Sequence, residues 1–216
     1  MNIKLDIPEE FFKGEELCGY YVSPEMKKVW AVQLDLLNEL SRVCEKYNLR
    51  WFIDWGTLLG AVRHKGFIPW DDDVDITMMY SDFKKLCEVA SKEFQSPYNM
   101  LTLNNDNSYR FAFGKLYNTN TTFFEPPAYY SLKAGVRINY TQGVYIDIVA
   151  MNDVPDDEME FMTIIRKLVR LNFLKRKLRR LTDEGYNAPY SDKWKNCKHF
   201  TAMILRYSLG LLPLKL

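Results

Sequence analysis

A chain of 216 residues is long enough for one well-cored domain, or one domain with a small appendage. Its 29 basic and 28 acidic side chains leave a formal charge of +1, too weak a field to imply nucleic acid as a partner. Cys18, Cys44, Cys87 and Cys197 lie too far apart for zinc-site spacing and too sparsely for a disulfide scaffold, so reduced thiols in a cytoplasmic protein are the simplest reading.

Residues 1–17 hold no apolar segment behind a basic flank, so a signal peptide is not expected. No uncharged apolar run of about 18 residues predicts a membrane span. From Pro24 to Tyr47 apolar side chains recur at Met26, Val29, Trp30, Leu36, Leu37, Leu40, Val43 and Cys44, which is helical spacing, with Ser23-Pro24 as cap and first turn. A short strand is predicted over Arg50 to Asp54. Gly56 breaks it, and Thr57 is placed to cap a helix that stops at Gly66.

Beyond Pro69 the pattern predicts a strand over Asp73 to Met79 and a helix from Ser81-Asp82 to about Phe94. Strand-like segments follow at Met100–Leu103, Arg110–Tyr117, Thr121–Glu125 and Val144–Val149. A long helix is predicted from Asp156 to about Leu181, and another near Phe200–Tyr207. Strands and helices are mixed, which favours a mixed α/β or α+β sheet in one domain spanning 1–216.

Chemistry concentrates in Asp71-Asp72-Asp73-Val74-Asp75, where four carboxylates occupy five positions. Like charges so close raise one another's pKa and repel, so something positive must offset them. A solvated acidic loop is the plain alternative, but this run lies between Phe67-Ile68-Pro69-Trp70 and Val74 and Ile76, apolar residues expected in the core. Residues two apart on a strand share a face, which would project Asp73 and Asp75 together. Such paired oxygens suit Mg²⁺ (or Mn²⁺), which takes one or two carboxylates together with substrate phosphates and water. Asp147, within Val144-Tyr145-Ile146-Asp147-Ile148, has the same buried-flanked setting on a second strand and is the natural third ligand.

Gly56-Thr57 joins a strand to a helix N-terminus, where free N–H groups and the positive dipole end favour phosphate. Two imitations fail. Asp71, Asp72 and Asp75 match a DDxxD pattern that works on helices, whereas Val74-Asp75-Ile76-Thr77 favours strand. An EF-hand starting at Asp71 would need glycine where Ile76 stands and glutamate where Asp82 stands.

The stretch from Gly56-Thr57-Leu58-Leu59-Gly60 through Gly66-Phe67-Ile68-Pro69-Trp70 to Asp71-Asp72-Asp73-Val74-Asp75-Ile76 resembles the signature of the LicD family. That family comprises phosphotransferases with a nucleotidyltransferase-like fold, related to the fukutin proteins. The likeness runs over about residues 25–160 and includes Lys115, Thr121-Thr122-Phe123-Phe124-Glu125, Val144–Ile148 and Pro155-Asp156-Asp157-Glu158. It implies transfer of a phospho-substituent, typically phosphocholine from CDP-choline, to a sugar of a surface glycan or its lipid-linked precursor. Carried over by motif, Asp73, Asp75 and Asp147 bind the metal and Gly56-Thr57 holds donor phosphate. Family members commonly run further at the C-terminus than Leu216, so an acceptor-binding part is expected outside this sequence. A nucleotidyltransferase acting on a small acceptor, and a catalytically silent nucleotide- or metal-binding module, are the competing readings.

Weaker claims attach to other residues. Arg63, with His64 and Lys65, either complements a helix C-terminus or binds phosphate or the acidic run. Lys115 either pairs with a carboxylate or contacts the donor phosphate. Trp55, Trp70, Tyr129 and Tyr130 are packing residues or faces for a quaternary ammonium. Between Arg166 and Arg180 eight basic residues and no acidic one interleave with apolar positions. That pattern predicts a basic amphipathic helix suited to peripheral contact with the inner face of the cell membrane, or with a glycolipid.

Overall fold

The computed structural model describes residues 3–102, 105, 113–123 and 143–186, with backbone alone for 172, 173 and 175–186. Its first long element, helix α1 (Pro24–Tyr47), has the span that the apolar spacing predicts. Ser23 caps it by accepting from the Met26 N–H at 3.3 Å, Pro24 fills the first turn, and Asn48 ends it in the left-handed region.

Before α1 the chain makes a 3-10 turn (Glu9–Phe12) and a hairpin of β1 (Glu15–Leu17) and β2 (Tyr20–Val22). Sequence reasoning missed this hairpin. Its signal was Cys18-Gly19, both of which take positive φ, the requirement of a two-residue turn between strands of ordinary twist.

The main sheet contains β3 (Phe52–Ile53), β4 (Asp75–Met79), β5 (Tyr98–Leu101), β6 (Gly114–Asn118) and β7 (Tyr145–Met151), in the order β3-β4-β7-β6-β5. Only β4 and β7 run parallel, so the class is mixed α+β, in agreement with the sequence. Helix α2 (Trp55–His64) follows β3, and α3 (Tyr80–Glu93) follows β4. The expected strand at Thr121–Glu125 amounts to a single bridge at Phe123, with Phe124 and Glu125 outside the described residues. The helix expected near Phe200–Tyr207 also lies outside them.

Alternation along the strands sorts the sheet into two faces. Ile76 and Met78 of β4, Leu116 of β6, and Ile146 and Ile148 of β7 point into the core against Val32, Leu36, Leu40 and Val43 of α1 and Leu86 and Ala90 of α3. Each fully buried Leu or Ile contributes about 1.5–3 kcal/mol. The opposite face carries Asp75, Thr77, Lys115, Tyr145 and Asp147.

Helix α2 corrects one expectation and adds another. Its cap is Asp54 rather than Thr57: the Asp54 carboxylate accepts from the Trp55 N–H at 2.8 Å, while the Thr57 hydroxyl accepts from the Asp75 N–H at 2.8 Å. The helix also buries its smallest side and exposes Trp55, Leu58, Leu59 and Val62. Close packing is the reason, since a Cβ on Gly60 would stand 2.6 Å from the Gly66 carbonyl oxygen.

Contacts divide the chain into two compact units, Met1–Asn152 and Asp153–Leu216. The second contains α4 (Glu158–Tyr186), started by Asp157, whose carboxylate accepts from the Glu160 N–H at 2.7 Å. Arg166, Lys167 and Arg170 are exposed on it, as are Val169, Leu171 and Leu174. The side chains of Arg176, Lys177, Arg179 and Arg180 lie outside the described residues. No helix among the described residues is long and apolar enough to cross a membrane.

Candidate active site

Ladder pairing brings three chemically active side chains to one place. Asp75 opens β4 directly opposite Asp147 on parallel β7, and Lys115 on β6 stands opposite Asp147 from the other side. The Lys115 ammonium is buried, 3.6 Å from Asp147 Oδ1 and 3.3 Å from the centroid of the Tyr145 ring. Even so, Asp147 Oδ1 has no hydrogen-bond donor among the described residues. A buried carboxylate oxygen in that condition is unfavourable unless something else meets it.

Asp73 is not part of β4, because the ladder begins at Asp75. It belongs to the preceding loop, where Asp71, Asp72 and Asp73 bring carboxylate oxygens within 4.8 Å of one another. The alternation expected there does persist in burial: Asp73 is exposed, Val74 buried, Asp75 half-buried and Ile76 buried. Asp75 and Asp147 lie outside that tight set of three.

The charges nevertheless feel one another. Burial, then Asp73 and Asp72, push the Asp71 carboxyl up to about 6. Burial, then Asp73 and Asp54, raise that of Asp75. Burial raises Asp147 to about 6 against the pull of Lys115, with Asp75 and Asp73 adding to the rise. Carboxylates whose ionised forms are all disfavoured in common would be relieved by a divalent cation, and Mg²⁺ or Mn²⁺ prefers such oxygen donors. The oxygens of Asp71, Asp72 and Asp73 are close enough to share such a cation, while Asp75 and Asp147, expected beside Asp73, stand outside that set.

Other elements hold this arrangement. Asp54 not only caps α2 but accepts from the Thr77 hydroxyl at 2.8 Å, joining α2 to β4. From α1 the Trp30 indole donates to the Asp71 carbonyl at 2.9 Å, and the Gln33 amide donates to the Asp72 carbonyl at 2.7 Å. Gly56 is set so close that an added Cβ would meet Asp71 Oδ2 at 2.7 Å. At the start of α2 the Gly56 and Thr57 amides have no acceptor within the helix.

A family model described as LicD/FKTN/FKRP, nucleotidyltransferase domain, matches residues 48–183, more than half of the chain. The chain belongs to that family. Within it, a 71-residue stretch is 42% identical to the lipopolysaccharide cholinephosphotransferase LicD of Haemophilus influenzae, covering 33% of this chain and 27% of that protein. An uncharacterized protein of Rickettsia prowazekii, RP689, is 40% identical over 65 residues, covering 30% of this chain and 24% of its own length. The matched segments thus span about a quarter of each relative.

The remaining residues singled out in the sequence separate into two groups. Lys115 sits inside the site, whereas Arg63 is exposed in the last turn of α2 as a cation at a helix C-terminus. His64 turns its Nδ1 to Cys18 Sγ at 3.6 Å and its ring edge-on to Trp70, whose centroid is 6.0 Å away. Trp55 and Trp70 are both exposed; Trp55 also takes φ of 48°, in the left-handed region. Tyr129 and Tyr130 lie outside the described residues. Sequence reasoning passed over Asp54, Trp30 and Gln33 as site residues. Gln33 did leave a signal, since it falls on the core face of α1 midway between Trp30 and Leu36, where an amide is out of place.

Proposed function

We propose that this chain transfers a phospho-substituent, phosphocholine or a similar group, from a CDP-activated donor to a sugar of a surface glycan or its lipid-linked precursor. The observation that carries this reading is the register of Asp75 against Asp147 on parallel strands, with the Lys115 ammonium beside Asp147. Family membership and the likeness to a cholinephosphotransferase support the same class of reaction.

In this reading Asp73, Asp75 and Asp147 hold Mg²⁺ or Mn²⁺, which when bound neutralises donor phosphate and the charge that develops on it. The Gly56 and Thr57 amides at the α2 N-terminus bind a donor phosphate, and Lys115 supplies positive charge from the opposite strand. The acceptor hydroxyl oxygen bonds to the substituted phosphorus while the bond from that phosphorus to the bridging oxygen breaks. The nucleoside monophosphate leaves with the electron pair, and the hydroxyl proton passes to a carboxylate. Asp147, on the strand facing Asp75, is the carboxylate assigned to take it. Arg63 is available to a phosphate, and the basic residues of 166–180 suit peripheral contact with an anionic membrane surface on the cytoplasmic side.

The test is transfer from CDP-choline labelled in the choline, in parallel with CDP-glycerol and CDP-ribitol, with Mg²⁺ and glycan or lipid-linked acceptors. Label in the glycan, lost in Asp73→Asn and Asp75→Asn, is the expected result; undiminished transfer by either variant defeats the assignment. The family description also names a nucleotidyltransferase domain. Repeating the assay with label in the cytidine separates that reading, because only a nucleotidyltransferase would leave cytidine on the acceptor.

A further inference from the structure

We infer that Gln33 and Trp30, two side chains of α1 outside the acidic run, are positioning residues that hold the Asp71–Asp73 loop in register with β7 for cation binding. The inference rests on the metal-dependent reading above and extends it to residues that touch no carboxylate.

The geometry begins with a loop that has reason to spread. Asp71, Asp72 and Asp73 carry like charges on adjacent positions, and the ladder of β4 starts only at Asp75. Their carbonyls have no strand partner, so other donors must fix them. Trp30 Nε1–H donates to the Asp71 carbonyl at 2.9 Å. Gln33 Nε2 donates to the Asp72 carbonyl at 2.7 Å and reaches the Tyr145 carbonyl at 3.5 Å. Tyr145 lies two residues before Asp147 on β7, so one amide group spans the loop and the strand that carries the third carboxylate. The Trp30 ring is itself fixed, stacked on Phe67 at 4.6 Å and 4°.

What Gln33 gives up points the same way. It is 2% exposed, and its Oε1 is buried without a hydrogen-bond partner among the described residues. A methionine of similar length would fill the same space without stranding an acceptor. For packing alone, glutamine is the poorer choice at this core position of α1. The donor group is what an apolar residue lacks, and it is aimed at the acidic loop.

The readout is Mn²⁺ affinity, measured by electron paramagnetic resonance on the full chain, with thermal midpoint and far-ultraviolet circular dichroism recorded on the same samples. Gln33→Met is expected to keep its fold and its midpoint while binding Mn²⁺ about 10-fold or more weakly, the usual effect of losing a group that orients metal ligands. Trp30→Phe keeps an aromatic ring against Phe67 but removes the N–H together with the five-membered ring; where the variant stays folded it should weaken Mn²⁺ binding in the same direction. A folded Gln33→Met with affinity within twofold of the parent overturns the inference. If Gln33→Met fails to fold, Trp30→Phe decides on the same criterion. Asp147→Asn is the control: Mn²⁺ binding unchanged there brings down the metal reading itself, and this inference with it.

Discussion

Asp75 and Asp147 face each other across neighbouring parallel strands, tied by a hydrogen bond from the Asp147 N–H to the Val74 carbonyl at 2.9 Å. Adjacent strands lie about 4.8 Å apart, so two ionised carboxylates held there oppose folding when no cation lies between them. Burial first, then this repulsion, lifts the Asp147 carboxyl from 3.8 to about 6 despite Lys115. The folded chain therefore binds that proton more tightly than the unfolded chain. Stability attributable to the group falls as pH rises from about 4 to about 6 and stays low above that. Asp147→Asn, which mimics the protonated form, should stabilise the fold and raise the thermal midpoint at pH 7.5 in divalent-free buffer, by at most about 3 kcal/mol. The gain should disappear below pH 4, and transfer activity should be lost at every pH. Melting curves across that range check it; a variant less stable than the parent at pH 7.5 would show that the Lys115 pair outweighs the repulsion.

Much of this site was legible because its chemistry follows local rules. Alternating Asp and Val or Ile around positions 73–76 and 144–148 marked two strands with one polar face, and α1 followed from apolar spacing alone. The rest depended on partners distant in sequence. Nothing local could tell that the Thr57 hydroxyl would serve the Asp75 N–H, because their meeting requires the turn through Gly66 and Pro69 to bring β4 back beside α2. Strand ends were misjudged for a related reason. Propensity extends to Asp73, but the ladder with β7 begins at Asp75, and before it the chain runs as a loop whose Asp71 and Asp72 carbonyls are taken by Trp30 and Gln33 of α1. The outward apolar face of α2 was invisible too, since periodicity reports an apolar stripe and not which side the fold will bury.

Buried Asp35 is a second carboxylate with a purely architectural set of contacts. Its oxygens accept from the Lys4 and Leu5 N–H groups and the Tyr98 hydroxyl, each at 2.8 Å. This joins the N-terminal segment to α1 and β5, and burial beside Asp35 pushes the Tyr98 phenol upward. Tyr98→Phe should destabilise by about 1.5–3 kcal/mol, the range for a hydrogen bond to a charged group. Asp35→Ala should go further, releasing residues 3–7 to limited proteolysis before the rest of the chain is cut. Urea melts and a proteolysis time course measure both effects, and equal protection of residues 3–7 in Asp35→Ala would contradict this account.

Glu93 at the end of α3 is a junction with α1. Its carboxylate accepts from Lys46 Nζ at 2.8 and 2.9 Å and from the Tyr47 hydroxyl at 2.7 Å, and the Arg42 guanidinium stands 3.7 Å away. The Lys46 bond, then that of Tyr47, holds this carboxyl below its ordinary range. A depressed folded-state value gives stability that is present above the unfolded value and lost as pH falls through the folded one. Glu93→Gln should therefore melt a few degrees lower than the parent at pH 7, with the gap closing below about pH 4. Midpoints that stay equally separated down to pH 3 would assign the loss to packing instead of charge.

Gly60 offers a test in which two general effects have opposite signs. In the interior of α2, replacing glycine by alanine should stabilise a helix by about 1 kcal/mol. Here the added Cβ would stand 2.6 Å from the Gly66 carbonyl oxygen and 3.0 Å from the Ile68 nitrogen, both backbone atoms of the segment leading to the acidic loop. Backbone atoms do not swing aside as a side-chain tip can, and overpacking of this kind costs about 1–3 kcal/mol. The steric effect should win, so Gly60→Ala lowers the melting temperature. The displaced segment continues through Pro69 to Asp71, so the same variant should also bind Mn²⁺ more weakly than its loss of stability would suggest. Gly66→Ala is the matched comparison, because a Cβ there meets nothing within 4 Å. If both alanines leave the melting temperature and Mn²⁺ affinity alike, close approach of α2 to this segment is not what sets the acidic loop in place.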